Sequence, residues 1–306
     1  MTRLKTQPTL FVVGGPTASG KTAAAIEVAQ LLRTEIVNVD SRQVYEELNI
    51  AVAKPSDSEL STVKHHGIGH VPIKYHYNAG THAEIFRGIT QELLENKGYA
   101  VLCGGTGLYI EAILYGMDDL PEADPDLRSE ILDQYVANGI EPLLSMLLQL
   151  DPEAGKFVRL DNPQRVMRAL ELCIQLRKPL SEIYGQEKVQ HFPGVNIQFV
   201  GLEHPREQLY ERINQRVDAM VAMGLIDEAR LLHPQKELKA LQTVGYTELF
   251  AFFEGQSTEK EAIEKIKQHT RNYAKRQITY FNNRFSTEWI RPADWVDFIR
   301  KFASSS

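Results

Sequence analysis

Residues Gly15–Thr22 read GPTASGKT and match the pattern G-x-x-x-x-G-K-[ST]. A short apolar run, Thr9–Val13, precedes them, and a run of good helix formers, Thr22–Leu32, follows. A strand, a glycine-rich turn and a helix in this order form a phosphate-binding loop, because backbone amides and the helix N-terminus face the anion. Lys21 adds a mobile positive charge, and the Thr22 hydroxyl is a ligand for Mg²⁺. The stretch predicts a site for a phosphate compound without saying which one.

The composition is that of an ordinary globular protein: 306 residues, 43% hydrophobic and 24% charged, with a net charge of −6. No run is apolar over the length of a bilayer span, and Met1–Thr6 lacks the apolar stretch of a signal peptide. Cys103 and Cys173 lie far apart without C-x-x-C spacing, so neither a zinc site nor a disulfide framework is predicted. We expect a cytoplasmic monomer that binds no membrane.

Further short β-rich runs alternate with helical stretches, which predicts an α/β fold: a parallel sheet core with helices on both faces. The predicted strands after the first are Glu35–Asp40, Tyr99–Cys103 and Val195–Gly201. Ligands bind at the carboxyl ends of strands in such sheets. Gly15, Asp40 and Thr106 all follow strand ends, so we expect them to share one crevice.

Residues 119–193 have a different pattern, with proline-rich edges and helical periodicity but no convincing strand. They are predicted to form a helical insertion domain, in which Asn162 caps a helix started by Pro163. Residues 1–118 and 194–306 then form the catalytic core with its C-terminal helices.

Asp40 is the first candidate for chemistry outside the loop. A carboxylate at the end of a buried strand, beside bound phosphate, suits a Mg²⁺ ligand or a general base. The alternative is a helix cap or a turn residue, since Asp is common where strands lead into helices.

Arg212 and Arg216 are four residues apart on a predicted helix and share one face. Leu209, Ile213 and Val217 mark another face as core. Two arginines on one face suit an anionic leaving group, and a solvated face is the alternative.

Two regions are basic. Between Lys156 and Lys178 there are six Lys/Arg against two acids, and between Lys265 and Arg284 there are six Lys/Arg and no acid. The second region carries a stripe at i, i+4 spacing with interleaved aromatic residues; the stripe is Lys267, Arg271 and Lys275. Solvated faces are the ordinary explanation, but two such regions favour a polyanion such as RNA.

Five histidines fall between His65 and His82: His65, His66, His70, His76 and His82. No Cys/His spacing matches a known metal site, so solvent exposure or loop packing is predicted for them.

Taken together, the motifs resemble the bacterial tRNA dimethylallyltransferases of the tRNA isopentenyltransferase family. The resemblance runs in order through nearly the whole chain. Besides the phosphate loop, it rests on Val39–Tyr45, Ala53–Pro55, His65–His66, Gly104–Tyr109, Asn162–Arg165, Lys178–Ser181, Val244–Tyr246 and Ala274–Gln277.

This resemblance implies a P-loop NTPase-like core, and transfer of a dimethylallyl group from its diphosphate to the N6 amine of the adenosine 3′-adjacent to the tRNA anticodon. It implies Asp40 as general base, Arg216 and Lys21 on the leaving diphosphate, and Mg²⁺ at Thr22. The diphosphate would be held by Gly15, Pro16, Thr17, Ala18, Ser19, Gly20, Lys21 and Thr22. Contacts with tRNA would come from Asp40, Ser41, Arg42, Gln43, Thr106, Arg128, Gln164, Arg165, Val166, Met167, Arg168, Gln242, Thr243, Val244, Gly245, Tyr246, Thr247, Lys275, Arg276, Gln277, Ile278, Thr279, Tyr280, Phe281 and Asn282.

Two other hypotheses fit parts of the sequence. A small P-loop kinase explains the loop, Asp40 and the arginines, but not the two basic regions. A nucleotide-gated RNA-binding module explains the basic regions, but predicts no modified adenosine.

Overall fold

The computed structural model describes residues 7–118, 120–184 and 189–305, so Met1–Thr6 and Asp119, the first residue of the predicted insertion, lie outside it. The chain divides into two compact units, one formed by Met1–Gly116 with Gln190–Ser306 and the other by Met117–Val189. Among the described residues, no helix is both long and apolar enough to cross a bilayer.

The larger unit is built on a six-stranded, fully parallel sheet. In chain order its strands are β1 (Thr9–Gly14), β2 (Ile36–Asn38), β3 (His65–His66), β4 (Tyr99–Cys103), β5 (Asn196–Leu202) and β6 (Glu288–Ile290), and their order across the sheet is β3-β2-β4-β1-β5-β6. Thus β1, which leads into the phosphate loop, is central and wholly buried.

Helices cover both faces of this sheet. They are α1 (Lys21–Leu31), α2 (Asp57–Thr62), α3 (Ala79–Lys97), α4 (Gly107–Tyr115), α9 (Arg206–Ala222), α10 (Leu225–Leu232), α11 (Tyr246–Phe253), α12 (Glu259–Arg284) and α13 (Trp295–Ser305). Side chains alternate along β1: Leu10 and Val12 join the core on one face, while Phe11 and Val13 join the core on the other.

The smaller unit is helical in its described part. It comprises α5 (Pro125–Asn138), α6 (Glu141–Leu150), α7 (Pro163–Leu176) and α8 (Leu180–Ile183), around a core that includes Ile131, Leu143 and Leu170. The predicted cap is present, because Asn162 accepts a hydrogen bond from the Arg165 amide and Pro163 opens α7.

The strand predictions were right for the four inner strands, except for the length of β2, and missed the two edge strands. Strand β2 is shorter than predicted, so Asp40 lies two residues beyond its end. The two-residue β3 and the three-residue β6 were not predicted, since neither is long enough to show an alternating pattern.

Glu35, just before β2, gathers three basic side chains. It contacts Lys97 at 2.6 Å, His66 at 2.7 Å and Lys64 at 3.2 Å. Burial would raise the pKa of Glu35, but these three partners outweigh it and lower the pKa to about 2. His66, one of the histidines predicted to be exposed or packed in a loop, therefore lies on β3 and contacts this carboxylate.

We expect Glu35→Gln to remove a pH-dependent part of the stability. Because the folded pKa lies below the ordinary value, the carboxylate stabilises the fold above about pH 4.5 and loses this effect as the pH falls towards 2. At neutral pH the variant should lose about 2 kcal/mol of unfolding free energy. Urea unfolding at pH 7 and pH 3 measures this; an equal difference between the two proteins at both pH values would contradict it.

Candidate active site

The phosphate loop connects β1 to α1 and has three residues at positive φ: Gly15, Ala18 and Gly20. Three of its carbonyl groups are bonded to side chains. Arg212 Nε donates to Ala18 O at 2.9 Å, His204 Nε2 lies 2.8 Å from Ser19 O, and Lys21 Nζ donates to Pro16 O at 3.2 Å. The first amides of α1 have no acceptor within the helix, so they are available to an anion.

Two neighbouring cavities meet at this loop. The first, about 470 Å³, is a basic chamber whose charged lining is Lys21, Lys54, Arg212, Arg216 and one acid, Glu59. The second, about 680 Å³, is lined by Asp40, Ser41 and Arg42, by residues of Gln242–Thr247, and by one face of α12. Both cavities are lined by Thr17, Lys21, Val52, Ala53 and Arg216.

Lys21 and Arg216 are the cations at the junction of the cavities. Burial lowers the pKa of both, and the charge of Asp40 opposes that shift in each case. Burial also raises the pKa of the Cys103 thiol to about 12, so this neighbour of the Lys21 carbonyl stays protonated and is not a nucleophile.

The Asp40 carboxylate has one oxygen engaged with the turn that follows it. Oδ1 accepts hydrogen bonds from the Arg42 amide at 2.9 Å and the Gln43 amide at 3.4 Å. Asp40 is therefore a turn residue as well as a cavity residue, and the two interpretations of the sequence are compatible. Next to it, Thr106 Oγ1 accepts from the Ser41 amide at 3.0 Å, which fastens the strand ends together.

Helix α12 lies against the carboxyl edge of the sheet at a row of glycines. A Cβ at Gly105 would stand 2.1 Å from Gln277 Nε2, one at Gly107 would stand 2.2 Å from the Tyr280 ring, and one at Gly14 would stand 2.0 Å from Phe281. These glycines thus make room for a helix.

Gln277 bridges two loops across this contact. It is 5% exposed; its Oε1 accepts from the Thr17 amide at 2.9 Å, and its Nε2 donates to Gly105 O at 3.0 Å. The resemblance implied an RNA contact here, but in the structure the Gln277 side chain is hydrogen-bonded to the phosphate loop. Phe281 is buried too, and Ile278 packs beside Ala18, so the exposed residues of Lys275–Asn282 are Lys275, Arg276, Thr279 and Asn282.

The predicted stripe on α12 is only partly solvated. Lys267 forms ion pairs with Asp218 and Glu264, and Arg271 donates to Asn214 Oδ1 at 2.6 Å. Lys275 is exposed and lies 5.8 Å from the Tyr210 ring centroid. The spacing of residues along α12 does not show its partners on α9, which are Asp218, Asn214 and Tyr210.

Val244 to Thr247 enclose one end of the larger cavity. Tyr246 is fully buried and Gly245 is buried, whereas Gln242 and Thr247 are exposed.

Gln43 is hydrogen-bonded to the loop that contains Val52 and Ala53, since its Nε2 donates to Ala53 O at 2.9 Å.

The candidate residues of the helical unit have mixed exposure. Val166 and Met167 are buried in its core, while Gln164 and Arg165 are exposed. Arg168 and Arg128 both pair with the buried Glu171, at 3.1 and 3.4 Å. Three of the six basic residues in the first basic region, Lys156, Arg159 and Arg168, thus pair with local acids.

Glu228 on α10 is a residue that the sequence did not single out. Its carboxylate accepts hydrogen bonds from the amides of Asn49, Ile50 and Ala51 at 2.8–3.1 Å, and from the Tyr246 hydroxyl at 2.7 Å. It anchors the loop whose Val52 and Ala53 line both cavities. Nothing distinguishes this acid from the others on an amphipathic helix, so no local signal marks it.

Known proteins match the chain over most of its length. A family model described as IPP transferase matches residues 43–284, and one described as isopentenyl transferase matches residues 8–74. A tRNA dimethylallyltransferase of Flavobacterium johnsoniae is 44% identical over 288 residues, covering 92% of each chain. The chain belongs to the tRNA dimethylallyltransferase family.

Solved structures of the tRNA dimethylallyltransferase family agree with the fold. The full-length tRNA isopentenylpyrophosphate transferase of Bacillus halodurans superposes with a TM-score of 0.70 at 32% identity, over 97% of this chain and 95% of that one. A eukaryotic dimethylallyltransferase, described as acting on tRNA, has a TM-score of 0.77 at 23% identity, over 97% and 77%. The P-loop NTPase-like core expected from the sequence is confirmed.

We expect Gln277→Leu to weaken binding of inorganic diphosphate about tenfold, because the Thr17 amide and the Gly105 carbonyl lose a buried partner. Calorimetric titration measures the affinities, with the exposed Thr279→Ala as control. Unchanged affinity in Gln277→Leu would exclude this side chain from shaping the loop.

Proposed function

We propose that the protein transfers a dimethylallyl group from dimethylallyl diphosphate to the N6 amine of the adenosine 3′-adjacent to the tRNA anticodon, releasing diphosphate. Transfer of a dimethylallyl group to tRNA is the activity for which its family is named. The observation that supports the residue assignment is the junction of the cavities: a basic chamber meets a larger cavity containing a carboxylate, with Lys21 and Arg216 lining both.

The basic chamber suits the diphosphate of the donor. Lys21, Lys54, Arg212 and Arg216 supply four cations against Glu59. As the allylic C–O bond breaks, its electron pair leaves with the diphosphate, and the growing negative charge is stabilised by these cations and by the loop amides. A leaving group held in this way reacts without a strong nucleophile.

Asp40 is the base in this proposal. An exocyclic amine is a weak nucleophile because its lone pair is delocalised into the ring, so proton removal must accompany formation of the N–C bond. Oδ2 of Asp40 has no hydrogen bond within the described residues, whereas Oδ1 is held by the turn. The N6 proton passes to this carboxylate as the amine attacks the allylic carbon.

Mg²⁺ fits the chamber through Thr22. This residue lines the basic chamber at the first turn of α1, and its hydroxyl has no protein partner within the described residues. Mg²⁺ commonly combines few protein ligands with substrate phosphate oxygens. Bound there, the ion would neutralise charge on the diphosphate.

The larger cavity suits an unstacked base of tRNA. At about 680 Å³ it has room for a nucleobase beside the prenyl group. The exposed Arg276 suits the RNA backbone, whereas the half-buried Arg42 donates to the carbonyls of Lys239, Ala240 and Gln242. We further propose that the helical unit contacts tRNA through Arg128, Gln164, Arg165 and Arg168.

The direct test is incubation of unmodified tRNA with the protein, Mg²⁺ and dimethylallyl diphosphate, followed by mass spectrometry of the nucleosides. A prenylated adenosine next to the anticodon is expected. Its absence, together with release of ADP when ATP is supplied instead, would favour the kinase hypothesis.

Asp40→Asn should keep tRNA binding but lower turnover about 100-fold or more, because the amide does not accept the proton. Single-turnover rates and filter binding separate the two effects. Full turnover in this variant would refute the assignment of the base.

Replacing Lys275 and Arg276 together by Gln should weaken tRNA binding and reduce the slope of log affinity against log salt by about 1 to 2. Lys260→Gln with Lys265→Gln, at the other end of the same helix, is the matched control and removes the same charge. Equal slopes in the two double variants would show that the effect is one of net charge alone.

A further inference from the structure

The histidine-rich segment has no part in the chemistry described so far, yet it contains a buried chain of hydrogen bonds. His82 on α3 is fully buried. Its Nε2 lies 2.9 Å from Asn38 O and its Nδ1 lies 3.0 Å from the Tyr77 hydroxyl, which in turn lies 3.3 Å from His70 Nε2. This series of hydrogen bonds ends at the Asn38 carbonyl, and Asn38 lies two residues before Asp40 in the sequence.

The imidazole of His82 has one defined protonation pattern. Because Asn38 O only accepts hydrogen bonds, Nε2 carries the proton, and Nδ1 accepts from the Tyr77 hydroxyl. Burial lowers the pKa of His82 to about 3, so the ring is neutral at physiological pH. The rings of Phe86 and Tyr109 lie 4.5 and 4.6 Å from it and fix its plane.

The side chain of Asn38 holds both backbone polar groups of Asp40. Asn38 Oδ1 accepts from the Asp40 amide at 3.1 Å, and Nδ2 donates to Asp40 O at 3.2 Å and to Gly67 O at 3.0 Å. The position of Asp40 therefore depends on Asn38, which is itself fixed by His82.

The same segment also holds the chain after Asp40. The Gly69 amide donates to Gln43 O at 2.9 Å, and the Val71 amide donates to Val44 O at 3.0 Å. The stretch between Gly67 and His82 thus contacts the backbone on both sides of Asp40, in addition to the bond from the Ser41 amide to Thr106.

We propose that His82 is a positioning residue, which acts through Asn38 to hold the Asp40 carboxylate in its reactive place. The inference rests on the proposed function of Asp40 as the base. For His82 it also corrects the prediction of solvent exposure or loop packing, since this residue lies on α3 and is fully buried.

The size of the effect follows from the geometry of proton transfer. A misplacement of about 1 Å costs on the order of 100-fold in rate. His82→Leu removes the donor to Asn38 and should lower kcat about 10- to 100-fold, with KM for tRNA and for the donor within about twofold of the parent. His82→Gln, whose amide donates in place of the imidazole, should restore part of kcat.

The decisive experiment repeats His82→Leu in an Asp40→Asn background. If His82 acts through Asp40, His82→Leu should lower turnover less than about twofold in the Asp40→Asn background, because that background has no base to misplace. Tyr77→Phe, a milder change to the same chain of hydrogen bonds, serves if His82→Leu does not fold. His76→Gln changes an exposed histidine of the same segment and is the control.

The outcomes separate the two proposals. An equal loss of turnover from His82→Leu in both backgrounds, or a raised KM at constant kcat, would overturn the positioning role while leaving Asp40 as the base. Full turnover in the single variant Asp40→Asn would refute the assignment of Asp40 as the base. The positioning role of His82 would then be refuted as well, because it depends on that assignment.

Discussion

Helix α12 passes along the carboxyl edge of the sheet, where side chains would ordinarily keep it away. Gly14, Gly105 and Gly107 allow its approach, and Gln277 then bonds the phosphate loop to the loop after β4. Steric room and a buried hydrogen-bonded bridge act together here. Without the glycines the helix would be displaced, and without the helix the Thr17 amide would lose its partner.

Charge is arranged unevenly between the two glycine-rich loops. Side chains of α12 pack against the loop after β4, whereas the cations Lys21, Arg212 and Arg216 line the chamber at the phosphate loop, beside α1 and α9. In the proposed reaction this asymmetry gives the leaving diphosphate a place separate from that of the amine.

Much of this was predictable from the sequence, and the limits have physical causes. The phosphate loop, the central strands and the cap at Asn162 follow from local chemistry and were predicted. Strands β3 and β6 are too short to show a period. The roles of Gln277 and Glu228 depend on partners 260 and about 180 residues away in sequence, which no local pattern encodes. Similarly, the spacing of Lys267 and Arg271 indicated a solvated or RNA-facing stripe, because a helix's own sequence does not show what packs against it.

The span of the Thr17–Gln277 bond also bears on how the protein is made. The phosphate loop leaves the ribosome early, but its partner emerges only 260 residues later. At a synthesis rate of about 5–20 residues per second, the loop waits on the order of ten seconds or more for the helix that completes it. Until then a nascent chain exposes an anion-binding turn without its clamp, and a fragment that stops short of α12 contains the whole GPTASGKT motif without the site it signals.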